Sequence, residues 1–128
     1  MKTFLNKSRP HALSLLRIVT AFMFMQHGTQ KIFGYPVAPR YEFELMSMSG
    51  VAGVLELFGG FLLLIGLFSR SVSFILSGLM AVAYFMVHAP SNFWPIANGG
   101  ELAAMFSFVF LYFVFSGPGV WSVDHLRK

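Results

Sequence analysis

Glu56 is the single carboxylate in an otherwise apolar run, GVAGVLELFGGFLLLIGLF, from Gly50 to Phe68. As a helix rising ~1.5 Å per residue, that run spans roughly 28 Å, close to the hydrocarbon thickness of a bilayer. An ionised Glu at such depth is costly unless it faces protein or water and meets a partner, so a functional or bundle-specifying role follows. The other groups able to do chemistry are His27, Gln30 and Lys31 near the end of a first apolar run, His88 at the end of a third, and Glu101 at the start of a fourth, with Arg17 deeper in the first. Small shifts bring His and Glu to titrate near neutral pH, so such a set can deliver or accept protons.

Each residue also has a plainer reading. Arg17 and Lys31 can snorkel to opposite headgroup layers, and Glu101 after Asn98-Gly99-Gly100 can complement a helix dipole. His27 and His88 could ligate a metal with Glu56 and Glu101, but no two of these share an i, i+3 or i, i+4 spacing on one helix, so the expectation is no metal site. A haem would want histidines facing each other across a bundle, and both lie at one rim.

Composition limits what these groups can serve. Of 128 residues, 56% are hydrophobic and 11% charged, and the mean hydropathy is +0.69. A soluble domain carries about 25% charged residues, so this reads as an integral membrane protein whose partner is the lipid bilayer. The net charge of +4 comes from residues scattered over termini and loops, forming no stripe that would suit nucleic acid. The chain has no Cys, which excludes thiol relays, thiolate metal sites and cysteine nucleophiles.

The elements that must position these residues are four spans, at about 12–33, 50–68, 71–89 and 101–116, in one all-α domain covering 1–128, a transmembrane four-helix bundle. Pro10 is expected to open the first helix after a basic flank of Lys2, Lys7 and Arg9. At about 100° per residue, Arg17, Thr20, Ala21, Phe24, Gly28 and Lys31 share one face of that helix, with His27 at its edge. Glu56 shares a face with Gly53, Gly60 and Leu63, where small residues admit a close neighbour. Ser77, Ala81, Tyr84 and His88 line a face of the third span. Glu101, Met105, Phe108, Tyr112 and Phe115 line one of the fourth, which either contacts lipid or receives a flat apolar ligand. The loop from Gly34 to Ser49 is long enough to fold back as a cap, Ser69-Arg70 forces antiparallel neighbours, and Pro90 to Gly100 reads as a turn with Phe93 and Trp94 at the headgroups.

Basic residues at the span ends set the orientation. Four spans put Lys2, Lys7, Arg9, Arg70, Arg127 and Lys128 on one side, against Arg40 and Lys31 on the other, so both termini are expected in the cytoplasm. His27, Gln30, Lys31, Glu56, His88 and Glu101 then converge towards the outer side. Lys31 is the favoured partner of Glu56 because its stem can reach down about 9 Å from the rim. Arg17 would have to reach up as far.

Arg17, His27-Gly28, Lys31-Ile32-Phe33-Gly34, Glu56-Leu57-Phe58-Gly59-Gly60, Gly66-Leu67, Asn98-Gly99-Gly100-Glu101, Gly117-Pro118-Gly119 and Ser122-Val123-Asp124 follow one another in an order and spacing that resembles the DoxX family of small four-helix bacterial inner-membrane proteins. The resemblance covers nearly the whole chain. It implies an oxidoreductase association, by similarity to the membrane subunit of an archaeal thiosulfate:quinone oxidoreductase and to a membrane partner in a mycobacterial redox complex. A quinone ligand and a redox partner protein are the corresponding expectations, with no cofactor in the chain itself. The wider superfamily is similar also to eukaryotic membrane cargo receptors and receptor chaperones, so a non-catalytic membrane binding or chaperone module is the alternative.

Overall fold

The computed structural model describes residues 1–128 as an all-helical chain without strands. The helices are α1 (Lys2–Phe33), α2 (Met48–Ile65), α3 (Ser69–Ala83) continued by a π-helical turn (Tyr84–His88), α4 (Pro95–Asn98), α5 (Glu101–Ser116) and α6 (Val123–Leu126). Met48–Ile65 and Ser69–His88 are long and apolar enough to cross a membrane, and Glu101–Ser116 is a shorter apolar helix.

Local chemistry explains most boundaries. Ser47 opens α2, its side chain accepting the Gly50 N–H at 3.0 Å, and Gly66 closes α2 in the left-handed region at φ 72°, earlier than the expected end at Phe68. Phe68 then takes a left-handed φ of 52° to turn directly into α3. Contrary to the expectation for Pro10, α1 starts at Lys2 and runs through the proline. The bond that Pro10 cannot make falls among exposed first turns, where its acceptor is not shut into the core. The expected turn from Pro90 to Gly100 contains α4, with Pro95 in its first turn.

Side-chain and close backbone contacts give the register. Lys31 meets Glu56, Gly28 lies against Leu57, Gly60 against Met25, and Arg17 reaches Leu64, so α1 and α2 run antiparallel. Ser77 bonds Ser107 and Arg70 bonds Val114, so α3 and α5 do too. Gly59 abuts Leu76 between α2 and α3, while Phe24 meets Phe106 and Phe110 edge-on across α1 and α5 at 5.2 and 4.8 Å. Ala21, Phe24, Leu63, Leu76, Phe110 and Phe113 form the heart of the shared core.

Polarity is inverted relative to a soluble protein. Arg17, Ser14, Ser69, Ser73 and Glu56 are buried, while Phe22, Phe58, Phe74, Phe85, Phe108 and Phe115 are exposed. The expected faces of α1 and α2 are the buried ones. Of the sets named on the other two, Ser77, Ala81, Tyr84 and His88 are partly buried, and the set on α5 is exposed, which suits its lipid-contact alternative. In α3 the interior face is Ser69, Val72, Ser73, Leu76 and Met80, one position round from the expected set. In α5 it is Phe106, Phe110 and Phe113, so Met105, Phe108, Tyr112 and Phe115 point outward and line no internal ligand cavity. A helix apolar all round carries no periodic signal to mark its buried side.

Candidate functional site

The polar interior is divided between two ends of the molecule. At the Lys31 end, Lys31 Nζ lies 2.6 Å from Glu56 Oε1, the single ion pair in the protein. Glu56 is 2% exposed, whereas the Lys31 side chain is 30% exposed, so the carboxylate is enclosed and the cation reaches it from the rim. The approach is set by backbone. A Cβ on Gly28 would stand 2.6 Å from Leu57 N and 2.8 Å from Gly53 O, so only glycine lets α1 and α2 close to ion-pair distance. Glu56 Oε2 is buried without a hydrogen-bond partner.

His27 lies one turn from Lys31 on α1, half-buried, with its ring edge-on to Phe106 at 6.0 Å. Gln30 donates to Ala38 O at 3.4 Å, which brings the α1–α2 loop back over the helix end. Between that loop and α1 lies a shallow cleft of about 130 Å³ lined by Gln26, His27, Gln30, Pro36 and Val37. His27, Gln30, Lys31 and Glu56 are therefore gathered at one end.

His88 and Glu101 belong elsewhere at the same end. His88 Nδ1 lies 3.1 Å from Asn98 O, and Asn98 Nδ2 donates to Tyr84 Oη at 3.2 Å, so the π-helical turn is fastened to α4. Since a carbonyl only accepts, Nδ1 is the donor in that contact. Glu101 is exposed in the first turn of α5.

Arg17 is at the opposite end and does not meet Glu56. It is fully buried, and its guanidinium donates to Pro118 O, to Trp121 O at 2.6 Å and to Leu64 O at 3.4 Å. The C-terminal tail thus wraps its carbonyls around the cation. Further contacts fix the tail and the end of α5. Ser14 Oγ accepts the Trp121 N–H at 3.0 Å, and the Asp124 carboxylate accepts N–H bonds from Phe68 at 2.9 Å and Ser69 at 2.8 Å. Arg70 donates to Val114 O and Phe115 O at 2.6 Å each. Burial pushes the Asp124 carboxyl up, but the N–H groups of Ser69 and Phe68 and the charge of Arg127 outweigh it, leaving it below its ordinary value. Sequence reasoning missed this assembly, because carbonyl ligands leave no residue-type signal. Gly117-Pro118-Gly119 was the available hint: a Cβ on Gly119 would lie 2.2 Å from Ser14 Oγ.

An all-helical chain with an apolar exterior, buried charges and two helices of membrane-crossing length defines the class. The chain belongs to the DoxX family, whose sequence profile matches residues 12–89. It is 47% identical to an uncharacterized protein of Haemophilus influenzae over 94% of each chain. It is also 31% identical to the inner membrane protein YqjF of Escherichia coli, over 86% of this chain and 87% of that one. No solved structure matches it.

Proposed function

We propose that this is a multi-pass protein of the bacterial inner membrane, a transmembrane four-helix bundle with both termini in the cytoplasm, acting as the membrane subunit of a quinone-linked oxidoreductase complex. The inverted polarity and the likeness to an Escherichia coli inner membrane protein support the placement, and the excess of basic residues at the Arg17 end supports the orientation. A reporter fused after Lys128 is expected to be active only in the cytoplasm. Activity confined to the periplasm would overturn the orientation.

The observation that carries the quinone reading is the Lys31–Glu56 pair beside His27 at the loop-covered end. One Lys31 N–H is spent on Glu56, which leaves two donors for a carbonyl oxygen at the rim, and the His27 ring in the cleft can accept from or donate to a hydroxyl, while Glu56 Oε2 stays enclosed. These donors and acceptors fit a quinone head. When bound, a quinone supplies two-electron chemistry, with the electrons coming from a redox partner protein. Within this chain, Lys31 orients the head, Glu56 holds Lys31 in place, and His27 takes or gives a proton at the cleft.

The shallowness of the cleft favours a second reading, a non-catalytic binding or chaperone module for a lipophile or membrane partner. Extraction of small molecules from protein purified in mild detergent separates the two. Quinone at about one per chain, reduced several-fold by Lys31→Met, is the expected result. An empty protein, or phospholipid alone, would overturn the first reading in favour of the second.

A further inference from the structure

The Arg17 end carries exposed cations that form no ion pair within the protein. Lys2, Lys7 and Arg9 lie on the exposed first turns of α1, and Arg127 and Lys128 end the tail, also exposed. The fold brings the two segments to one end. Gly119 packs against Pro10 and Ser14, and His11 meets Trp121 edge-on at 5.4 Å. The protein's single ion pair is at the other end, and the one carboxylate here, Asp124, is engaged by the N–H groups that begin α3. Arg127 does stack over the Phe68 ring at 5.2 Å, a contact that leaves its charge available.

Exposed apolar side chains are interleaved with these charges: Phe4 and Leu5 on α1, Trp121 and Leu126 on the tail. With 32 residues α1 is about 48 Å long, well beyond a hydrocarbon layer of ~30 Å. If residues from about 12 onward cross that layer, Arg9 and Lys7 fall at headgroup depth and Lys2 lies roughly a Debye length further out. Cations mixed with aromatic and aliphatic side chains at that depth match the chemistry of a headgroup layer, where apolar groups enter the acyl boundary and ammonium and guanidinium groups meet phosphate.

We infer that Lys2, Lys7, Arg9, Arg127 and Lys128, held together by the packing of the tail on α1, form a binding surface for anionic phospholipid headgroups of the inner leaflet. The inference rests on the membrane placement proposed above. Its readout is taken in detergent, so a failed orientation and a missing lipid preference are separate results.

The test is native mass spectrometry of the full chain in mild detergent with phosphatidylglycerol or phosphatidylcholine added at equal concentration. The wild type is expected to retain phosphatidylglycerol preferentially, about fivefold less for each of the five cations changed to Gln, and to lose the preference in 0.5 M salt. Arg40→Gln, at the opposite end, is expected to leave it unchanged. The five side chains make no hydrogen bond or ion pair within the protein, so the variant should fold, and the salt series on the wild type decides independently if it does not. Equal retention of the two lipids by the wild type would overturn the inference, as would a preference that survives the five-Gln variant.

Discussion

Helix α1 carries one cation at its middle and one in its last turn, and the two are held in different ways. Lys31 meets a carboxylate, Glu56, 2.6 Å away on α2. Arg17, about 21 Å along the same helix, meets backbone carbonyls from α2 and the C-terminal tail. The difference follows from the side chains. A flexible ammonium can stay partly in water, and a point charge is well served by one anion. A guanidinium is permanently charged and planar with donors in several directions, so carbonyl oxygens spread around it take N–H bonds from both terminal nitrogens without a second buried charge, and Nε alone is left without a partner. One arrangement joins two helices at a site. The other pins the C-terminal tail to α1.

Breaking the carbonyl cage should have the largest effect. Arg17→Met leaves the carbonyls of Pro118, Trp121 and Leu64 without their donor; a fully buried orphan costs about 1 to 3 kcal/mol, and because these residues are only partly buried the total falls at the low end of the sum, roughly 3 to 5 kcal/mol. Thermal melts in detergent should fall accordingly, and residues 117–128 should become protease-sensitive while the Lys31 end stays folded. Arg17→Lys should restore little of this, because an ammonium cannot reproduce the fork.

The ion pair comes next. Glu56→Gln removes one member of a pair whose loss costs about 3 to 5 kcal/mol when fully buried, and exposure of Lys31 reduces that to roughly 1 to 3 kcal/mol. A double-mutant cycle with Lys31→Met should show coupling, whereas a cycle with Arg17→Met should be additive, since the two sites share no partner. Coupling between Glu56 and Arg17 would dissolve the distinction between the two ends.

The two ends also differed in how far the sequence disclosed them. Glu56 and Lys31 could be paired from helical faces and depth, because both are side-chain charges in apolar surroundings and their helices follow one another directly. Arg17 was visible as a charge in need of a partner, but its partners are carbonyls of Pro118 and Trp121, more than a hundred residues away, and any residue type offers a carbonyl. Also hidden were the π-helical turn at Tyr84–His88, and the burial of Phe106 rather than Phe108 in α5, where phenylalanines stand on every side. Glycines were legible as close approaches, though whether backbone or side chain filled the space was not.

Gly28 sharpens the comparison from the ion-pair side. Gly28→Ala drives a methyl into Leu57 N and Gly53 O, atoms that cannot step aside without parting α1 from α2. A loss of about 1 to 3 kcal/mol is expected. The coupling between Lys31 and Glu56 should shrink with it, while tail protection is kept. An unchanged cycle in the Ala variant would mean that helix separation does not set the pair.

The smallest effect tests the tail from its other attachment. Asp124 bonds the first two N–H groups of the α3 turn, one of them on Phe68, whose φ of 52° is unfavourable for a side chain with a Cβ and needs support. Because its folded pKa lies below the ordinary value, folding favours the ionised carboxylate. The stabilisation is therefore full above about pH 4, the ordinary Asp range, and is lost as the pH falls through the lower folded value. At pH 7, Asp124→Ala should cost about 0.5 to 2 kcal/mol, in the range of a lost helix cap. The gap between wild-type and variant melts should close as the pH is lowered below about 4. A gap that stays constant down to pH 3 would assign the effect to packing. Unlike Arg17→Met, this variant keeps the carbonyl cage, so its tail should stay protease-resistant at neutral pH. That separates the cage, which fastens the tail to α1, from the carboxylate, with which the tail supports the start of α3.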